Sequence, residues 1–389
     1  MRTNLKRVKK VKGKDRLSDL HDDILIHILS FLDDPQSAAQ TCVLSKRWKH
    51  NKLWMHHPDV YLHSKTFGEN SYEFEKFVDM VLTQRDNFNH ELRSFSFCWT
   101  FESKIPQQLL DRVHSYAQSH DVRRFDFSIG CASGHRSYPS QNFDPKSLTT
   151  LRLNLSHCYS GGFRIDSNLN VQDKYLAGCT ALKTLWLEMF TIDSRSGDVD
   201  LFSSLINLTE LCIVGCYIVG RDRLFHVRSP RLKRLTLLEN VDYMGREING
   251  VAPQWAISTP SLKYLRIDIS RSLFSLGHLL ALEELEINYQ THVMSNNRAY
   301  GEPRLARTVI NVIKTLPHVK SLTLSKSTLQ VLSAFPGVLS ESPCPEFKWK
   351  FLKVITTKEL HTIVFPEYRR GLDYLQKSCS KTLKVEFTT

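Results

Sequence analysis

The sequence predicts an α/β chain: a short helical module at the N-terminal end, then a curved stack of repeats whose strands form one parallel sheet. Two observations carry this prediction. Residues 15–54 place apolar side chains at helical spacing between helix-stop and helix-start residues. Behind them one spelling, apolar-x-x-apolar-x-apolar, recurs along the chain, and self-similarity of this kind marks a repeat architecture. The length agrees, because 389 residues exceed what one compact core ordinarily organises.

The first element is a tail. Residues 1–16 hold eight Lys and Arg side chains against Asp15 alone, so they carry +7 of the chain's net +12. The body is therefore near neutral. Residues 1–14 are expected to be a disordered basic segment, with Lys6, Arg7, Lys9, Lys10, Lys12 and Lys14 as a candidate nuclear-import signal. That gives an expected location in the nucleus, the cytoplasm or both. No apolar leader follows the tail and no apolar run reaches spanning length, so neither secretion nor a membrane is expected. Nine scattered cysteines, an odd number, suggest reduced thiols rather than a disulfide framework.

The second element, residues 15–57, is a three-helix module. In "DRLSDLHDDILIHILSFLDD" the acids Asp19, Asp22 and Asp23 suit a helix N-terminus, and Ile24, Leu25, Ile28, Leu29 and Leu32 form one apolar stripe. Asp34-Pro35 ends that helix and starts a second, with Asp34 as N-cap and Pro35 at the first helical position. Ser45 caps a third, "KRWKHNKLW". Three helices this short cannot bury all their apolar surface against one another, so part of it faces the rest of the chain or a partner.

These residues carry a resemblance. Leu17-x-x-Leu20, an acid before Ile24-Leu25, "ILSFL", "VLSKRW" at 43–48 and Leu53-Trp54 together resemble the F-box, in the spelling of plant F-box proteins. The next helical stretch, "YEFEKFVDMVLTQRD", has Phe74, Phe77, Val78, Val81 and Leu82 on one face and is assigned to a helical linker region, 58–90. The resemblance implies that Leu17, Leu20, Ile24, Leu25, Ile28, Leu29, Leu32, Val43, Leu44, Trp48 and Trp54 dock a Skp-type adaptor, and through it a cullin, in helix-in-groove fashion. One letter departs: the family has Leu-Pro where this chain has Leu20-His21. Losing a proline pre-set for the helix start is expected to cost a fraction of a kcal/mol to about 1.

The third element, residues 91–389, is the repeat array. Copies start at 92, 122, 148, 182, 208, 232, 262, 282 and 319, with "LHTIVF" at 360 a weaker tenth and "LKVEF" at 383 a possible end. Steps of 20 to 41 residues centre on the leucine-rich-repeat range. The eighth position beyond each start should close the turn after the strand; it holds Thr100, Gly130, Ser156, Phe190, Cys216, Asn240, Ser270, Gln290 and Ser327, of which Phe190 is a misfit. The expected fold is thus an N-terminal three-helix F-box followed by an irregular leucine-rich-repeat solenoid with a parallel sheet on its concave face. Strand alternation puts Leu185 and Leu187 inside and Trp186 and Glu188 outside. On that logic Trp186, Glu188, Arg234, Tyr264, Arg266, Asp268, Glu284 and Glu286 are the candidate target contacts, and the insertion 288–304 can reach over them.

No phosphate-binding, dinucleotide-binding, zinc-protease or serine-hydrolase motif occurs. Cys212-x-x-x-Cys216 lacks a second ligand pair at zinc spacing, and His56-His57 read as part of a polar linker. No catalytic residue, metal or cofactor is expected, and nucleic acid is not an expected partner. The resemblance implies a target-recognition subunit of a Skp–cullin–F-box ubiquitin ligase acting on an unidentified protein. The alternatives are a repeat scaffold with a weakened F-box and a ligand-sensing F-box receptor.

Overall fold

The chain's computed structural model describes residues 17, 19–32, 35–50, 52–86, 92–130, 145–154, 176, 178–189, 191–193, 199–200, 202–215, 217–219, 224–238, 254–268, 273–289, 303–342, 347–355, 366–377 and 384–388. The basic tail 1–14, the turn positions Ser156, Phe190, Cys216, Asn240, Ser270 and Gln290, most of the insertion 288–304 and the "LHTIVF" copy lie outside these residues.

The N-terminal module holds α1 (Asp22–Leu29), α2 (Pro35–Gln40) and α3 (Lys46–His50), with 3-10 turns at Thr41–Val43 and Leu53–His56. Its signals act where the sequence puts them: Pro35 opens α2, and Ser45 Oγ accepts from the Trp48 N–H at 3.4 Å. Leu25, Leu29, Ala38, Trp48 and Leu53 form the module's own small core. His21 occupies the N-cap position, not the first helical position, with φ −62° and ψ 148°. Its ring accepts from the Asp23 N–H at 3.4 Å, so the residue that departs from the family pattern supplies a cap.

Twelve parallel strands then pair strictly in chain order among the described residues: β1 (Asp59–His63), β2 (Ser94–Trp99), β3 (Arg124–Ile129), β4 (Thr150–Asn154), β5 (Thr184–Glu188), β6 (Glu210–Val214), β7 (Arg234–Leu238), β8 (Tyr264–Asp268), β9 (Glu284–Asn288), β10 (Ser321–Ser325), β11 (Phe351–Ile355) and β12 (Lys384–Thr388). Each step returns behind the sheet, as parallel neighbours require. Long steps return through helices: α4 (Ser71–Asp86), α5 (Gln107–Ser119), α6 (Pro303–Thr315), α7 (Lys326–Ala334), α8 (Pro336–Glu341) and α9 (Pro366–Lys377). Shorter middle steps return through a second parallel sheet of Val199–Asp200, Leu224–Val227, Gln254–Ile257 and Leu273–Leu276.

The spelling becomes packing. Phe95, Phe125, Leu151, Leu185, Leu211, Leu235, Leu265, Leu285, Leu322 and Leu352 sit in one register row and are buried, between the sheet and its return layer. Near the C-terminal end α9 crosses α7 at Gly371. A Cβ there would lie 2.9 Å from the Leu329 carbonyl oxygen, so the close crossing requires glycine.

Three expectations change. The sheet begins inside the presumed helical linker 58–90: β1 pairs with β2, aligning Asp59 with Ser94, and His57 fills the position that Leu92 fills one step later. His57 is fully buried instead of part of a polar linker. The strand that follows β10 is β11, where no copy was expected; its spelling is Trp349-x-x-Leu352-x-Val354, with Trp in the leading place. Ser327 does not close a turn but lies in α7, which follows β10 directly.

Candidate functional site

Two surfaces are built by this architecture: one on the N-terminal module, one on the outward face of the long sheet. In the module, the eleven expected docking residues separate by position. Leu25, Leu29 and Trp48 are buried in the module's core and are unavailable to a partner, which corrects their assignment. An amphipathic helix has one seam inward, and these residues occupy it. Leu20, Leu32 and Trp54 are partly buried against the same core. Leu17, Ile24 and Ile28 remain open at 47%, 47% and 37% exposure, and Val43 and Leu44 at 87% and 58%. Ile24 and Ile28 are one helical turn apart, so they share a face of α1.

Phe31, 72% exposed, belongs to this patch although sequence reasoning passed over it. Its ring meets His27 edge-on at 4.8 Å. The signal was present: Phe31 falls outside the stripe that Leu25, Leu29 and Leu32 bury. Arg47 pairs with Asp22 and ties α3 to the start of α1. So large an apolar set outside a completed core marks an interaction surface.

On the sheet, outward side chains line up across strands in register. Arg152, Trp186, Cys212, Thr236, Arg266 and Glu286 form one row. The Arg152 guanidinium lies 4.2 Å from the Trp186 ring centroid, and Arg234 lies 4.3 Å from that of Tyr264. Tyr264 Oη donates to Glu286 Oε2 at 2.7 Å, while Arg266 Nε approaches Glu286 Oε1 at 3.3 Å. Burial, then the hydrogen bond and charge of Glu286, push the Tyr264 phenol up to about 12. Asn154 Nδ2 donates to Glu188 Oε2 at 2.9 Å.

The structure brings Trp186, Glu188, Arg234, Tyr264, Arg266, Glu284 and Glu286 to this face. Asp268 is a correction. It keeps the register of the outward row, opposite Asn288, but is buried and so not open to a target. Sequence reasoning missed Arg152, which occupies the same outward position of β4 that Trp186 occupies in β5.

Cys212 in the middle of the face is buried, and burial first, then Glu210 and Glu188, push its thiol up to about 12 against Arg152 and Arg266. A thiol held neutral in this way is a poor nucleophile. Among the described residues no three His, Cys, Asp or Glu side chains gather closely enough to hold a metal ion. No helix among them is long and apolar enough to cross a membrane.

Comparison with known proteins bears on both surfaces. Residues 17–50 match the F-box domain. Two F-box/LRR-repeat proteins of Arabidopsis thaliana are each 28% identical to this chain. One aligns over 330 residues, 82% of this chain and 80% of the relative; the other over 370 residues, 90% and 73%. An F-box/FBD/LRR-repeat protein of the same plant is 31% identical over 273 residues, 67% of this chain and 53% of the relative. No solved structure matches the chain. The chain thus carries an F-box domain at its N-terminal end and is similar along most of its length to F-box/LRR-repeat proteins of a plant.

Proposed function

We propose that this protein is the target-recognition subunit of a Skp–cullin–F-box ubiquitin ligase. The observation that carries the reading is the division of the F-box into a closed core, Leu25, Leu29 and Trp48, and an open apolar patch, Leu17, Ile24, Ile28, Phe31, Val43 and Leu44. The open set docks the Skp-type adaptor, which joins the chain to a cullin. The twelve strands are the parallel sheet of a leucine-rich-repeat solenoid, and its outward, concave face holds the target. The chain contributes proximity rather than bond chemistry: a target held near a charged ubiquitin-conjugating enzyme reacts at raised effective concentration. The basic tail serves nuclear import.

The test is co-purification of the full chain with a plant Skp adaptor. Stable co-elution that Ile28→Asp abolishes is expected. Absence of any complex, under conditions where another F-box protein binds, overturns the reading.

A further inference from the structure

Immediately before each of the strands β3 to β11 lies a residue that neither the core nor the outward face uses. Backbone hydrogen bonds of 2.8–2.9 Å join these residues one step to the next: Thr149 N–H to Arg123 O, then Lys183 to Thr149, Thr209 to Lys183, Lys233 to Thr209, Lys263 to Lys233, Glu283 to Lys263, Lys320 to Glu283 and Lys350 to Lys320. They form a continuous rim along the sheet's edge. Neighbouring rungs stand about 4.8 Å apart, so the rim runs on the order of 40 Å.

Its composition is one-sided. Arg123, Lys183, Lys233, Lys263, Lys320 and Lys350 are all exposed. The two threonines turn their hydroxyls onto the preceding rung, Thr149 Oγ1 to Arg123 O at 2.9 Å and Thr209 Oγ1 to Lys183 O at 3.0 Å. The one acid, Glu283, is paired with Lys320 at 3.4 Å. Beside the rim, the outward sheet face carries Glu188, Glu210, Glu284 and Glu286 against Arg152, Arg234 and Arg266. Positive charge is therefore gathered on the edge of a body that is otherwise near balance.

We propose that this rim binds an acidic polypeptide segment of the target, lying along the edge while the rest of the target meets the sheet face. The inference rests on the target-binding reading above and supplies the chemistry of the partner. One feature favours an acidic peptide over a nucleic acid: no rung is aromatic, so bases find no stacking platform there.

The experiment uses the full chain bound to its Skp adaptor and a fluorescent glutamate-rich peptide, with oligouridylate and a phosphoserine peptide of equal charge as competing probes. A triple variant, Lys183→Glu with Lys233→Glu and Lys263→Glu, is compared with a charge-matched control, Lys65→Glu with Lys104→Glu and Lys377→Glu, all at exposed positions. Expected is salt-sensitive peptide binding that the rim variant weakens by about tenfold or more and the control by less than about twofold. A preference for the phosphopeptide keeps the rim and makes phosphate its ligand group. No peptide binding, equal losses in both variants, or tighter binding of oligouridylate overturns the proposal. Adaptor co-elution is scored in parallel, so failure of the receptor reading shows as loss of that complex in the unmutated chain, independently of the rim.

Discussion

Arg85 Nη2 donates to the carbonyl oxygen of His57 at 3.0 Å. The same guanidinium reaches the Met55 carbonyl, and its Nε donates to Tyr116 Oη at 3.1 Å. The His57 ring in turn accepts from the Asp59 N–H at 3.1 Å and donates to the Leu32 carbonyl at 3.3 Å. One buried arginine and one buried histidine thus tie the F-box to β1 and α5, beside Trp54, which packs against both cores. The F-box and the long sheet are therefore held on one framework.

Arg85→Met tests this joint. It keeps much of the apolar stem but leaves buried carbonyls without their donor, so a loss of about 3 kcal/mol is expected in urea denaturation. Earlier protease cleavage within 50–58 should accompany it. A loss below about 1 kcal/mol would show that packing alone holds the joint.

The F-box assignments separate on two substitutions of adjacent residues. Leu29→Ala removes a fully buried side chain and should cost about 2–5 kcal/mol of stability. Ile28→Asp alters a half-open side chain, so stability should change by less than about 1 kcal/mol while adaptor binding is lost. Thermal melting read beside pull-down distinguishes them. Equal destabilisation by both would place Ile28 in the core and remove it from the docking surface.

The register of the sheet was legible because each strand repeats one spelling whose leading Leu and two following apolar residues must all be inside. Ten of the twelve strands could be located this way, including β12 from "LKVEF". The two that escaped put unexpected residues in the leading place, His57 before β1 and Trp349 before β11. A histidine can take a leucine position only when both ring nitrogens find partners, here Leu32 and Asp59, and no local pattern announces partners 25 residues apart. The same limit hid the inner members of the F-box set. Family spelling does not distinguish side chains that build the module from those that face its partner.

His114 makes stability depend on pH. It is buried on α5, donates from Nδ1 to the Leu110 carbonyl at 3.0 Å and meets the Phe127 ring at 4.7 Å. Burial holds its pKa down at about 4, from 6.5. The unfolded chain therefore binds a proton that the folded chain does not between those values, and stability falls as pH drops from 6.5 toward 4. The full effect is about 3 kcal/mol. Denaturation midpoints of the native chain and of His114→Gln, compared at pH 7 and pH 5, should converge at the lower pH. Parallel curves would mean that the ring is protonated in the fold.

Cys212 and Trp186 stand side by side in register on the outward face, and Cys212 is nonetheless buried. With its thiol at about 12, only about one molecule in ten thousand carries the thiolate at pH 8. Iodoacetamide should therefore label Cys212 far more slowly than a thiol in the denatured chain, read by mass spectrometry of its peptide. Trp186 is the neighbouring cover, with Arg152 stacked on its ring at 4.2 Å. Trp186→Ala should open the site to water, lower the thiol's pKa toward its ordinary value and raise the labelling rate by about tenfold or more. Trp186→Phe, which keeps an apolar ring, should leave the rate within about threefold. Rapid labelling of the unmutated chain would show that the face is not covered, and no acceleration in Trp186→Ala would show that something other than the indole covers it.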